Sequence, residues 1–331
     1  MSDPSPGPAQ LDDRTIAALL PFREPRGHKG TFGRLLVVAG SLDYAGAALL
    51  VARSAGRAGA GLIRLAVPAS LQPVVAGRVM EATTMGLPES GEPGVVDPSG
   101  ALARLLAEPH DALVVGPGLR AGTATVELVL GLLAPDGPEA EVPAIVDAEA
   151  LNSLAGVGGW AERIRRPCVL TPHVGEFARL RAGMGESPPA GEDLVTDDAT
   201  RARAAAGAAR RWGVVLVLKG AHTVVAAPDG SKVRAPFANP ALASGGTGDV
   251  LSGAIGALLA QGLAPYDAAR VGVYLHGLAG EAIRERLGDA GLLASDLPDE
   301  LARARHRLAR LRDGGDRRVG FVIDRRAGDA A

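Results

Sequence analysis

ASGGTGDVLSGAIGALLAQG, residues 243–262, passes from a small-residue loop through an acid into an apolar helix. Leu251, Ile255, Leu258 and Leu259 share one face of a 3.6-residue spiral, and Gly253 and Gly256 leave room for a close neighbour. The spacing predicts a helix over 247–261. The glycines ahead of it permit backbone angles that aim successive N–H groups at one point, and a helix start adds its dipole. Gly245, Gly246, Thr247 and Gly248 therefore read as an anion cradle. It is not a P-loop, because Asp249 stands where that motif needs Lys. A carboxylate there is open to two readings. It can complement the helix dipole, or act as a general base, taking a proton from a hydroxyl while the N–H groups hold the phosphoryl group under attack.

Upstream of this stretch, short β-branched runs alternate with alanine-rich helical segments. RLLVVAG (34–40), LIRLAVP (62–68), DALVVGPG (111–118), PAIVDAEALN (143–152) and CVLTPH (168–173) read as strands or strand ends. Helices are expected over 45–58, 122–133, 174–182 and 197–212, so the class is α/β, a mostly parallel sheet covered on both faces. VVLVLKG (214–220) and HTVVAAPDG (222–230) are nearly contiguous and predict an antiparallel hairpin at one side of the sheet. From 247 onward only helices are expected, over 247–261, 265–287 and 295–312, the second burying Val271, Tyr274, Leu275 and Leu278. No linker divides the chain, although GESPPAGED (185–193) reads as a flexible surface loop. One domain over 11–312 is expected, after a disordered leader (1–10) and before a polar tail (313–331) with a weak strand signal at VGFVID.

Composition removes several classes of function. The 331 residues carry a net charge of −2 and only 3% aromatics, which offers neither a basic face nor stacking platforms for nucleic acid. Cys168 is alone, excluding an internal disulfide and a multi-cysteine zinc site and fitting a reducing cytoplasm. No apolar stretch approaches the roughly 20 residues of a membrane helix. Basic charge is almost all arginine. The lysines, Lys29, Lys219 and Lys232, mark places where a compact ammonium could replace a planar fork.

In doubly wound sheets ligands bind beyond the carboxyl ends of the strands. GPGLRAG (116–122) and the acid Asp147 at the next strand end resemble a dinucleotide-binding turn, but the glycine spacing is wrong and a proline intervenes, so a tight strand-to-helix turn is the better reading. TPHVGE (171–176) reads alone as a helix start; its position also allows His173 to touch a substrate and Glu176 to organise water around Mg2+. LKGAHT (218–223) sets Lys219 and Thr223 across a turn that could equally be exposed.

Taken together, these segments resemble the ribokinase-like superfamily, a three-layer α/β/α sandwich, and more narrowly the ADP/ATP-dependent (S)-NAD(P)H-hydrate dehydratase family. The resemblance is carried by HKGTFGRLLVVAGS (28–41), AGAALLVARSAGRAGAGLIRL (45–65), VVGPGL (114–119), IVDAEALN (145–152), LTPHVGE (170–176), LKGAHT, ASGGTGDVLSGAIGALLAQG, YLHGLAGE (274–281) and ASD (294–296), in order across the core. It implies repair of nicotinamide cofactors hydrated at C6. A nucleotide phosphorylates the C6 hydroxyl of the S epimer, then phosphate leaves and the ring double bond re-forms. It further implies Asp249 as base and substrate contact, with Gly245, Gly246, Thr247 and Gly248 as anion hole. Lys219, Gly220, Ala221, His222 and Thr223, with Gly248, would hold ADP or ATP. Ala45, Gly118 and His173 would contact the hydrated dinucleotide, and Glu176 would reach Mg2+ through water. A cytoplasmic homotetramer is implied, with no membrane or nucleic-acid partner.

Two departures stand out. Arg120 replaces the last glycine usual in the G-P-G-L-G turn, and too few residues precede His28 for the epimerase domain often fused ahead of this one. The alternative reading on the same fold is a kinase for a small alcohol, such as a thiazole or pyrimidine precursor.

Overall fold

The β-branched runs form one ten-stranded sheet in the computed structural model, which describes residues 8–314. Its strands are β1 (Ala9–Gln10), β2 (Arg34–Val38), β3 (Leu62–Pro68), β4 (Thr83–Leu87), β5 (Ala112–Val115), β6 (Ala144–Val146), β7 (Cys168–Leu170), β8 (Val215–Leu218), β9 (Val224–Ala226) and β10 (Lys232–Arg234). They lie in the order β1-β10-β9-β8-β7-β6-β5-β2-β3-β4, parallel throughout except where β9 runs against both β8 and β10. The hairpin expected from sequence is therefore present, near one side.

The helices are α1 (Asp13–Leu19), α2 (Ala45–Ala58), α3 (Gln72–Ala76), α4 (Pro98–Ala107), α5 (Thr123–Leu133), α6 (Glu149–Ala155), α7 (Val174–Gly183), α8 (Asp198–Trp212), α9 (Thr247–Ala260), α10 (Pro265–Leu287) and α11 (Leu297–Arg312). Alternation along each strand builds two cores. In β2, Leu35 and Val37 face α2, α9, α10 and α11, whereas Leu36 and Val38 face the layer of α4 to α8. Strands covered on both faces read as nearly unbroken apolar runs, which is why they were legible. Helix α9 differs from the one-faced helix expected: every residue from Val250 to Ala260 is buried. It runs between the sheet and the outer helices, and its glycines are where neighbours come closest. A Cβ on Gly253 would stand 2.3 Å from the Val51 carbonyl oxygen of α2, and one on Gly256 2.5 Å from Val114 Cγ2 of β5.

Two expectations need correction. Ala9 and Gln10, assigned to an unstructured leader, pair in parallel with Val233 and Arg234. β4, β10, α1, α3 and α4 were not foreseen. The VGFVID segment lies outside the described residues. Among the described residues no helix is long and apolar enough to cross a membrane.

The order β6-β5-β2-β3 places a topological switch between β2 and β5. The chain leaves β2 in one direction through β3 and β4, then returns on its other side. At this point Gly40 N–H donates to the Pro117 carbonyl at 2.8 Å, joining the two strand ends. The carboxyl ends of β2, β5, β6, β7 and β8 open on the same edge.

Candidate active site

Helix α9 starts at this edge without a side-chain cap. Gly246 takes φ +88, the left-handed conformation that glycine accepts most readily, and a Cβ there would also press on Leu50 at 2.7 Å. Among the described residues, the N–H groups of Gly245, Gly246 and Gly248 enter no backbone hydrogen bond. An uncapped helix start concentrates partial positive charge on such donors. Thr247 plays a different part. Its N–H points at the Ser244 carbonyl (3.4 Å), and its hydroxyl donates to the carbonyls of Leu242 (2.8 Å) and Ser244 (2.9 Å), folding the loop onto the helix.

Asp249 lies in the first turn, half-buried, and no hydrogen bond or ion pair engages its carboxylate among the described residues. Burial, reinforced by the Asp147 carboxylate and opposed by the Lys219 ammonium, pushes its pKa up to about 7. A carboxyl there shares its proton near neutrality, as a general base should.

The charges facing it come from neighbouring strand ends. Lys219, just past β8, donates to Asp147 Oδ1 at 2.9 Å, and its ammonium lies 3.8 Å from Glu176 Oε2. Burial pulls the lysine pKa down, but Asp147, then Glu176, with a smaller effect from Asp249, outweigh it and the pKa is raised. Asp147, 1% exposed after β6, also accepts from Ser252 Oγ at 2.6 Å. That commitment removes the dinucleotide-turn reading of GPGLRAG, in which Asp147 would hold a ribose. The glycines of that turn serve close packing instead: a Cβ on Gly116 would stand 1.9 Å from the Asp147 carbonyl oxygen, and one on Gly118 2.8 Å from that of Tyr44. Gly118 thus abuts the start of α2, beside Ala45. Arg120 leaves the turn to bind Asp43 at 2.8 Å.

His173 and Glu176 form a reciprocal cap on α7. His173 Nδ1 accepts from the N–H groups of Gly175 (3.0 Å) and Glu176 (3.4 Å), and Glu176 Oε2 accepts from the His173 N–H at 2.8 Å. The ring is half-exposed, with Nε2 3.6 Å from Glu176 Oε2. The helix start read in TPHVGE is thereby formed. Among the described residues no three His, Cys, Asp or Glu side chains group as a metal cage.

A cavity of about 450 Å³ opens beside the start of α9, between the turn after β8 and α10. Lys219, Gly220, Ala221 and Thr223 line it, with Phe237, Leu242 and Val273 as apolar walls. His222 does not. Its ring binds Asp198 Oδ2 at 2.7 Å, an oxygen shared with Arg234. Lys29 is exposed beside β2's first residue, at the opposite end of the sheet, where a Cβ on Gly33 would strike the Ala260 carbonyl of α9.

Three supporting residues escaped the sequence reading. Arg201 of α8, 1% exposed, donates to the Ala221 carbonyl and to those of Leu194 (2.7 Å) and Val195 (2.6 Å), which fixes the turn. Nothing marks it among the arginines of its helix. Ser252 follows Asp249 by three residues and was hidden among small helix residues. His276 Nε2 donates to the Thr247 carbonyl at 2.9 Å; burial above all, helped by Lys219, pushes its pKa down to about 4, so the ring stays neutral. His276→Phe is expected to cost about 1–2 kcal/mol of unfolding free energy through loss of this buried bond. A urea midpoint unchanged from wild type would contradict that role.

With this geometry in view, the family model for NAD(P)H-hydrate dehydratase matches residues 35–303. The chain belongs to the NAD(P)H-hydrate dehydratase family. Its three-layer architecture is the ribokinase-like one. It is 44% identical over 289 residues to the bifunctional NAD(P)H-hydrate repair enzyme Nnr of Moorella thermoacetica, covering 85% of this chain and 51% of that one. The chain thus spans about half the length of the bifunctional family members it matches. The ADP-dependent (S)-NAD(P)H-hydrate dehydratase of Xanthomonas campestris pv. campestris is 36% identical over 89% of this chain and 96% of its own. Among solved structures of the family, the ADP/ATP-dependent NAD(P)H-hydrate dehydratase of Bacillus subtilis, co-crystallised with ATP and Mg2+, superposes with a TM-score of 0.74 at 32% identity, over 91% and 99% of the two chains.

Proposed function

We propose that this protein restores NAD(P)H from the S epimer of its hydrate, using ADP or ATP as phosphoryl donor. The observation that carries the reading is the unpartnered Asp249 carboxylate beside the free N–H groups of Gly245, Gly246 and Gly248, next to a cavity lined by the Lys219–Thr223 turn. The adenine nucleotide occupies that cavity, with its terminal phosphoryl group at the start of α9. The hydrate lies on the other side, toward Ala45, Gly118 and His173.

The C6 hydroxyl gives its proton to Asp249 as its oxygen bonds to the terminal phosphorus. The bond from phosphorus to the nucleotide breaks, leaving AMP or ADP. Charge on the transferred group is met by the α9 N–H donors. Hydroxide is a poor leaving group and phosphate a good one. The ring nitrogen pushes its electron pair toward C6, the C6–O bond breaks, and loss of a proton from C5 restores the double bond. Mg2+, when bound, neutralises phosphate charge. Among the described residues no side-chain cage forms, and Glu176 would hold the ion through water.

Names in the family support this reading over a kinase for a small alcohol: the Xanthomonas relative is called an ADP-dependent dehydratase. A cytoplasmic homotetramer belongs to the same proposal, through the family resemblance. The test is incubation of the full chain with hydrated NADH or NADPH, Mg2+ and ADP or ATP, following reduced-nicotinamide absorbance. Return of absorbance with stoichiometric phosphate release is expected. No return with either nucleotide, from folded protein, would reject the reading.

A further inference from the structure

We infer that Asp147 is a positioning residue for the proposed reaction: it holds the Lys219 ammonium clear of Asp249 and so keeps that carboxylate free to accept a proton. The inference rests on Asp249 being the base.

Three carboxylates, those of Asp147, Glu176 and Asp249, surround one ammonium, and the division among them is unequal. Lys219 Nζ stands 2.9 Å from Asp147 Oδ1 and 3.8 Å from Glu176 Oε2, whereas Asp249 makes no ion pair with it. A paired aspartate would be a poor base, because an adjacent ammonium stabilises its charged form. Asp147 prevents that pairing by winning the cation. Its own placement is over-determined: Oδ1 is bound by Lys219 and Oδ2 by Ser252, which stands one turn beyond Asp249 on α9. The residue thus ties β6 to the helix that carries the base, and anchors the lysine at the end of β8.

The groups facing Asp249 are few. Asp147 comes from β6 and Lys219 from β8, with Glu176 of α7 beyond the lysine and neutral His276 of α10 behind Thr247. Asp147 acts on Asp249 directly, through its negative charge, and indirectly, through Lys219. Both effects have the same sign. Removing the Asp147 charge deletes a repulsion and releases the ammonium toward Asp249, and each makes Asp249 more acidic.

The test reads Asp249 by carboxyl 13C NMR in the full chain without substrate, assigned through Asp249→Asn. In Asp147→Asn the Asp249 midpoint is expected to fall by about one pH unit or more, and the acid limb of kcat/KM to move with it. Ser252→Ala, which keeps both charges of the pair, is expected to move the midpoint the same way by less, and decides the matter if Asp147→Asn does not fold. A merely structural Asp147 would lower melting temperature and rate at every pH without moving the midpoint. An unmoved midpoint in the folded variants overturns the inference. Because the titration needs no turnover, a wild-type protein without dehydratase activity would reject the proposed reaction separately.

Discussion

Asp249→Asn is expected to slow turnover about 1000-fold, the scale of a lost general base, while nucleotide still binds and the protein becomes harder to unfold above neutral pH. The two effects share a cause. The folded-state pKa of Asp249 is raised to about 7 by burial and by Asp147, against an ordinary value of 3.8. The ionised form is therefore penalised by folding. Stability associated with this group is intact below about pH 4, declines as pH rises toward 7, and stays reduced above it. Asparagine never ionises, so the variant should gain about 2–4 kcal/mol at pH 8, and that gain should vanish as pH approaches 4. The wild-type kcat/KM should fall on the acid side of about pH 7, where Asp249 is protonated. Denaturation of both proteins across this range, beside the absorbance assay, checks both halves. A variant within tenfold of wild-type rate removes Asp249 as base; a variant no more stable at pH 8 removes the raised pKa.

Gly253→Val should cost about 3 kcal/mol or more. The first added carbon would lie 2.1 Å from Ser54 Oγ and 2.3 Å from the Val51 carbonyl oxygen. Ser54 can rotate; a backbone carbonyl inside α2 cannot. The two helices would have to separate, and α2 begins with Ala45 while α9 begins at the uncapped glycine loop that ends in Gly246. Activity should therefore fall along with stability. Gly56→Ala provides the contrast within α2. That site is exposed, and its Cβ would meet only Ile63 Cδ1 at 3.7 Å. The helix propensity of alanine should then show as a gain of about 0.5–1 kcal/mol. If Gly253→Val unfolds at the wild-type denaturant midpoint, the close crossing is not what the glycine serves.

Legibility from sequence followed locality. The helix over Ala45–Ala58, the strand over Leu62–Pro68 and the helix over Pro265–Leu287 were read with their observed ends, because each has strong periodicity and clear punctuation. β4 was missed because TTMGL carries a glycine inside a short strand at the sheet edge, and β10 because three residues hold no pattern. In the site, the glycine loop and Asp249 are neighbours in the chain and were visible together. The Lys219–Asp147 pair joins residues 72 positions apart, and nothing local announces it. His222 is similar: its place in the KGAHT turn was visible, but the partner that its ring binds comes from α8.

The burial of α9 on every side carries a mechanical consequence. A helix enclosed by the sheet, α2 and α10 cannot slide or tilt without opening voids in tightly packed surroundings. The body of α9 from Val250 onward is thus fixed when the chain folds, and it holds the half-buried first turn in place. Any movement that shields the reaction from water must belong to the surface pieces around it, such as the stretch where Leu42 and Tyr44 stand in solvent. On the proposed function, the substrates meet a field that is already in place.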